Sequence, residues 1–511
     1  MAARNANGRP LATQQSVNSA IKSICDIMRR SNCAGALQYV PELTWILFLR
    51  ILDEREAHEA ASAAAVRADF TPSLAAPHRW QDWADPAGSK RCELQDRTLG
   101  AFFAFVNTDL IPHLKSLRDR PNATPRQKVI SEMMSGVEHT RIDTERNFLD
   151  VLDKVHEISS EAVDPTHVFT LSQVYEGLLL KMGEKGNDGG QFFTPREIIR
   201  AIVRVVDPRI GETVYDPCCG TGGFLAQSYE HMAGRNNANI TSPDQLEILK
   251  RRTFYGREKD NQIYPIALAN LVLHEMDEPH IWHGNTLTGG ETYGGLFTDA
   301  PALFDVVLMN PPFGGREGRE AQTHFAYKTG ATQVLFLQHV IDSLKPGGRC
   351  GIVLDEGVLF RNNETAFVQT KRKLLDDCDL WCIVSLPPHT FTAAGAGVKA
   401  NLLFFTRGGP TERTWYYDLS GRKVTKKNPL TLRDFEEFCR LLPDRADSDL
   451  SWTVTRDRIE ELNYDLKAVN PNARVEVDTR TPADLIAEIE ARGREVAEAI
   501  DALRALSPRQ G

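Results

Sequence analysis

Glu212-Thr213-Val214-Tyr215-Asp216-Pro217-Cys218-Cys219-Gly220-Thr221-Gly222-Gly223-Phe224 decides the fold. Its first four residues read as a strand, and the residues from Leu225 to Met232 read as a helix. A strand, a Gly-rich turn and a helix in succession form the nucleotide-binding arrangement of open α/β sheets. Glycines let the backbone approach a ligand closely. The turn has no Lys-Ser/Thr pair to hold phosphates and Mg²⁺, which argues against a P-loop, and its spacing does not match G-x-G-x-x-G.

An Asp opening such a turn suits a cationic amino group better than a pyrophosphate. The methionine end of S-adenosylmethionine carries that group. A second stretch lies downstream. The apolar run Phe304-Asp305-Val306-Val307-Leu308-Met309 reads as a buried parallel strand, and Asn310-Pro311-Pro312-Phe313 follows it directly. Two prolines force a turn at the strand end, the edge at which α/β sheets bind ligands. An amide oxygen and a backbone carbonyl there both accept hydrogen bonds from an exocyclic amino group, and the adjacent ring can stack on the base that bears it.

Working outward, strand candidates are Thr213–Tyr215, Thr253–Gly256, Ile281–Trp282, Val306–Met309, Cys350–Leu354, Trp381–Leu386 and Asn401–Thr406, with helical segments between most of them. This alternation predicts a doubly wound α/β sheet, with the segment from Val398 to Thr406 as its late, partly antiparallel end. Upstream, helical spacing runs from Thr13 to Ala64, Leu94 to Leu117 and Arg141 to Ile158, with a Pro- and Ala-rich loop from Ala65 to Ser89. Residues 1–165 are therefore read as a helical N-terminal domain, 166–410 as the sheet domain and 411–511 as a C-terminal region. That region ends in an amphipathic helix over 482–506, opened by Thr481-Pro482 and striped by Leu485, Ile489, Val496, Ile500 and Leu503. The stripe suits packing on its own domain or a coiled-coil contact with another chain.

Bulk numbers set bounds. The 511 residues are 41% hydrophobic and 25% charged, an ordinary globular composition. Nine cysteines without framework spacing predict a reducing, cytoplasmic setting, and Cys378 and Cys382 read as core thiols. The N-terminus has no apolar signal region, and the run from Trp45 to Leu52 is too short to span a membrane. Net charge is −9, whereas a chain that holds DNA alone usually has a basic footprint, so a local basic surface or a partner is required. His274, His280 and His283 with Glu275 and Asp277 match no closed zinc spacing, and no metal is expected.

Taken in order, these motifs resemble the modification (methyltransferase) subunit of type I restriction-modification systems over nearly the whole length. Gly190-Gln191-Phe192-Phe193-Thr194-Pro195-Arg196 looks like the upstream cofactor motif, Asp216 to Phe224 the main cofactor loop, and Gly256-Arg257-Glu258 the acidic strand end. Asn310 to Phe313 looks like the catalytic tetrapeptide, and Leu386-Pro387-Pro388-His389-Thr390-Phe391 the last base-pocket segment. Phe336 to His339, Lys345 to Arg349 and Gly357 to Phe360 look like the elements between them, and Asn463-Tyr464-Asp465-Leu466 with Asn470-Pro471 resembles the family's tail. Cys218 stands where a small residue is commoner, and Asn285 where many relatives have Asp, an acceptor without the charge.

The resemblance implies a Rossmann-like S-adenosylmethionine-dependent N6-adenine DNA methyltransferase, with roles carried over residue by residue. Asp216 would bind the cofactor's amino group and Glu258 its ribose hydroxyls. Gln191, Phe193, Thr194, Pro195, Gly220, Thr221, Gly222, Gly223 and Asn285 would line the cofactor. Asn310, Pro311, Pro312 and Phe313 would form the catalytic loop, with Phe313 and Phe391 sandwiching an adenine flipped out of double-stranded DNA. Implied partners are a specificity subunit that binds two copies of this chain, and a restriction and translocation subunit. Other readings are methylation of cytosine N4 or of a glutamine side chain, a stand-alone phage-defence adenine methyltransferase, and a cofactor-binding scaffold of a restriction complex.

Overall fold

Each strand candidate is a strand in the computed structural model, which describes residues 14–31, 36–157, 194–289, 296–297, 300–391, 399–425, 428–467, 469–472 and 481–506. The strands are β1 (Val214–Asp216), β2 (Phe254–Glu258), β3 (His280–His283), β4 (Phe304–Met309), β5 (Leu344–Asp355), β6 (Cys378–Ser385), β7 (Ala400–Arg407), β8 (Arg413–Asp418) and β9 (Ser451–Thr455). They form one sheet in the order β3-β2-β1-β4-β5-β7-β6-β8-β9. From β1 the chain steps outward through β2 to β3 and then returns to place β4 on the other side of β1, all in parallel register. The order therefore reverses between β1 and β4, and the crevice at such a switch point is where ligands bind. Asp216 ends β1, and Asn310 directly follows β4.

Two expectations are corrected. The antiparallel strand β7 is not the end of the sheet but lies between β5 and β6. The sheet also does not stop near Arg407. β8 pairs in parallel with β6, and β9 pairs antiparallel with β8. In the sequence, Gly408-Gly409-Pro410 reads as a break and the run that follows is short. Only the pairing of Trp415–Asp418 with Cys382–Ser385 makes it part of the sheet.

The helix Ile263–Leu273 is apolar nearly all round, with Ile263, Tyr264, Ile266, Leu268, Leu271 and Val272 all buried. A helix of that kind must be covered on both faces. The sheet lies on one side, and the N-terminal helices Ala36–Ala65 and Pro125–Met134 pack against it as well. The second of these helices was not in the sequence reading. Its start was nevertheless encoded, because Thr124 and Gln127 form a reciprocal capping box around Pro125. A half-buried ion network pins the layers together. Arg126 reaches Asp277 at 2.7 Å and Glu59 at 2.9 Å, and Arg55 reaches Asp277 at 3.1 Å. Burial alone would raise the Asp277 carboxyl, but Arg126 and Arg55 hold it below the usual range.

Residues 1–469 form one compact unit and 470–511 a second. The second contains the expected helix, Pro482–Leu506, capped by Thr481 and Asp484, whose backbone N–H and side-chain oxygen groups bond reciprocally. Leu485, Ile489, Val496 and Ile500 are exposed on it. No described helix is long and apolar enough to cross a membrane.

Candidate active site

A cavity of about 510 Å³ lies at the C-terminal ends of β1, β2 and β4. That is within the range of roughly 300–1,000 Å³ usual for small-molecule sites. Its lining brings together Thr194, Asp216, Gly220, Thr221, Gly223, Glu258, Asn285, Asn310, Pro312 and Phe313, residues from five separate stretches of the sequence. Gln191 and Phe193 lie outside the described residues. Gly222 does not line the cavity but turns the chain into the helix Gly223–Ala233, at φ 78°, and a Cβ there would sit 3.1 Å from the Leu271 side chain. Pro195 precedes the helix Arg196–Val206 as its N-cap.

The loop after β1 is held by β2. Glu258 accepts a bond from the Gly220 N–H at 3.0 Å and one from the Asp260 N–H at 2.8 Å. Asp216 accepts from the Cys218 N–H at 3.1 Å. On the far side, Asn270 donates to the Thr221 carbonyl at 2.8 Å. Both carboxylates are buried. Burial pushes the Glu258 carboxyl up to about 7. Burial, and then the nearby Glu258, push Asp216 well above the carboxylate range despite the Cys218 N–H. Two buried acids this costly to ionise call for a cationic or hydroxyl-bearing guest.

The other wall is built differently. The Asn310 amide donates through Nδ2 to Thr194 Oγ1 at 2.9 Å, while its Oδ1 is buried with no partner among the described residues. Phe313 is half-buried and tilts against the buried Phe391, ring centres 5.3 Å apart at 60°. Asn285 is present but occupied, its Oδ1 accepting from the Leu287 N–H at 3.0 Å and its Nδ2 donating to Glu317 at 3.3 Å. Several lining residues were missed by the sequence reading: Arg316, Glu317 and Thr332. Also missed was Gln333, buried between the Pro311 carbonyl at 3.5 Å and the Asp355 N–H at 3.0 Å. Such residues carry no motif of their own, and tertiary folding alone brings them to the loop.

The histidines go separate ways. His280 places its ring nitrogens 3.0 and 2.6 Å from the Leu296 and Arg251 carbonyls, His283 stacks on Tyr264 at 4.4 Å, and His274 lines the cavity. Among the described residues no His, Cys, Asp or Glu group is arranged to hold a metal.

Comparison with known proteins gives this geometry its family. The N-6 DNA Methylase model matches residues 167–479, and the HsdM N-terminal domain model matches 17–155. The type I restriction enzyme EcoEI methylase subunit of Escherichia coli is 31% identical over 504 residues, covering 96% of this chain and 97% of that protein. The chain belongs to the N-6 DNA methylases of type I restriction enzymes. It is thus an adenine-specific DNA methyltransferase subunit. Two solved structures agree with this placement. One, from work on complex assembly and conformational transition of the type I R-M system, is 36% identical with a TM-score of 0.71 and covers 98% of this chain and 99% of that one. The other, described as the modification subunit of a type I restriction enzyme from Vibrio vulnificus YJ016, is 32% identical with a TM-score of 0.77, covering 92% of this chain and all of that one.

Proposed function

We propose that this methylase subunit holds S-adenosylmethionine between the ends of β1 and β2 and presents an extruded DNA adenine to it at Asn310. One observation carries the reading: a buried amide oxygen, unpartnered among the described residues, at the switch point of the sheet, in the same cavity as two buried carboxylates. The donor set suits the cofactor. Asp216 receives the amino group, which repays the cost of ionising a buried acid, and Glu258 receives the ribose hydroxyls. When bound, the cofactor supplies a sulfonium methyl group as electrophile.

The chain's own residues do the rest. The adenine N6 lone pair is delocalised into the ring and is a poor nucleophile. Asn310 Oδ1 and the Pro311 carbonyl accept the two N6 hydrogens, drawing the nitrogen toward tetrahedral geometry and localising the pair. Phe313 stacks on the base, with the buried Phe391 backing its ring. Positioning therefore supplies much of the rate. With a net charge of −9, long-range attraction to DNA is weak, so target recognition belongs to a separate specificity subunit. The exposed stripe Leu485, Ile489, Val496 and Ile500 is the surface offered to it. A restriction and translocation subunit and a second copy of this chain complete the assembly.

The test is to purify the chain with its specificity subunit, methylate DNA and digest it for mass spectrometry. N6-methyladenine is expected. N4-methylcytosine, or sequence-specific methylation by the chain alone, would refute the respective part of the reading. Truncation before Thr481 is expected to leave cofactor binding intact and abolish assembly.

A further inference from the structure

Thr194 stands at the junction of the two walls. It lines the cavity that contains Asp216, Gly220 and Glu258, and its Oγ1 accepts the Asn310 amide at 2.9 Å. A hydroxyl has one proton and two lone pairs. One lone pair accepts from Asn310, and among the described residues the proton has no acceptor. The Asn310 amide has near-identical ends and a broad, roughly two-fold terminal torsion, so its hydrogen bonds decide which end faces the substrate. With Nδ2 on Thr194, Oδ1 is left over, and an exocyclic amino group needs an acceptor. With the amide reversed, two N–H donors would face each other across the site.

We propose that Thr194 couples the cofactor to the target base. The group that removes the ambiguity is an acceptor-only anion in the cofactor half of the cavity. The α-carboxylate of S-adenosylmethionine is one. Once the Thr194 proton is donated to it, the hydroxyl can only accept from Asn310, and Oδ1 is turned to the adenine. With the cofactor half empty, the hydroxyl serves either amide orientation and the target site has no fixed polarity. Thr194 is a positioning residue, acting through Asn310. The inference rests on the reading of Asn310 as the adenine acceptor.

Coupling of this kind is reciprocal and is read in binding, without turnover. The assembled methyltransferase is titrated with its target duplex carrying 2-aminopurine at the methylated position, alone, with S-adenosylhomocysteine, or with 5′-methylthioadenosine, which lacks the amino-acid part. The wild type and Thr194→Ser are expected to bind the unlabelled adenine duplex, competing against the 2-aminopurine reporter, several-fold better with S-adenosylhomocysteine and to gain nothing from 5′-methylthioadenosine. Thr194→Val is expected to lose the enhancement. Since 2-aminopurine lacks the N6 group, competition by the unlabelled adenine duplex reports the affinity that depends on Asn310. In an Asn310→Ala background, Thr194→Val should cost that affinity nothing further. Undiminished enhancement in Thr194→Val, or equal enhancement by 5′-methylthioadenosine, would overturn the coupling. Unimpaired methylation by Asn310→Ala would instead overturn the reading beneath it.

Discussion

The proposed cofactor wall and the proposed target wall of the cavity use opposite physics. At the ends of β1 and β2 the polar groups are carboxyls, deeply buried and already bonded to backbone N–H groups of the two loops. After β4 they are neutral and half-buried, and one acceptor has no partner among the described residues. A small, freely diffusing guest can be met by a rigid, preorganised wall. A base that must leave a duplex cannot, because its pocket has to accept it from solvent. The difference teaches where each kind of damage will register: in affinity for the cofactor on one side, in chemistry and base capture on the other.

The sharpest break is Asn310→Ala. We expect kcat to fall by roughly 10²–10³-fold, the usual cost of removing one preorganised transition-state partner, with cofactor affinity unchanged. Single-turnover methylation and calorimetry separate the two, and an equal loss in both would erase the division between the walls. Asp216→Ala should do the reverse. Losing a charge-assisted bond of roughly 1.5–3 kcal/mol raises the cofactor Kd about tenfold or more, as read by calorimetry. Phe313→Ala should raise the KM for target DNA by about fivefold or more, since base–aromatic stacking is worth roughly 1–3 kcal/mol. Unchanged KM would remove Phe313 from the base pocket.

The smallest effect concerns pH. Glu258 titrates near 7 in the folded chain, above its ordinary 4.5. Between those values the folded chain binds more protons than the unfolded one, so this group's contribution is fully present below 4.5 and is lost as pH rises through about 7. The thermal stability of the free protein should therefore fall as pH rises across that window, and Glu258→Gln should flatten the profile. Cofactor affinity has the opposite sign. It needs the carboxylate, and is expected to fall as pH drops through 7 in the wild type. A Glu258→Gln profile that still falls would assign the titration to another group.

Much of this was legible beforehand because the signals are local. Gly220 and Gly222 at positive φ, the prolines of Asn310–Phe313 and the apolar runs of β1 and β4 reflect backbone constraints that act within a few residues. Misreadings came where local signals stop. β7 enters the middle of the sheet, and β8 and β9 extend it, because pairing partners far along the chain select the register. Asn285 lines the cavity, and only the folded chain shows its amide bonded to Leu287 and Glu317.

By itself the sequence determined the chemistry: an acid-led Gly-rich turn, an amide between a strand and two prolines, and an order of motifs that specifies a methyl-transferring α/β sheet. Those features follow from backbone sterics and side-chain type, which do not depend on distant residues. Only the tertiary structure decided which polar atoms are spent and which remain. Asn310 and Thr194 are 116 positions apart, and their bond leaves one amide oxygen without a partner among the described residues. Burial, which lifts Glu258 to about 7, likewise exists only once the strands pack, since water must be removed before an ionised carboxylate becomes costly.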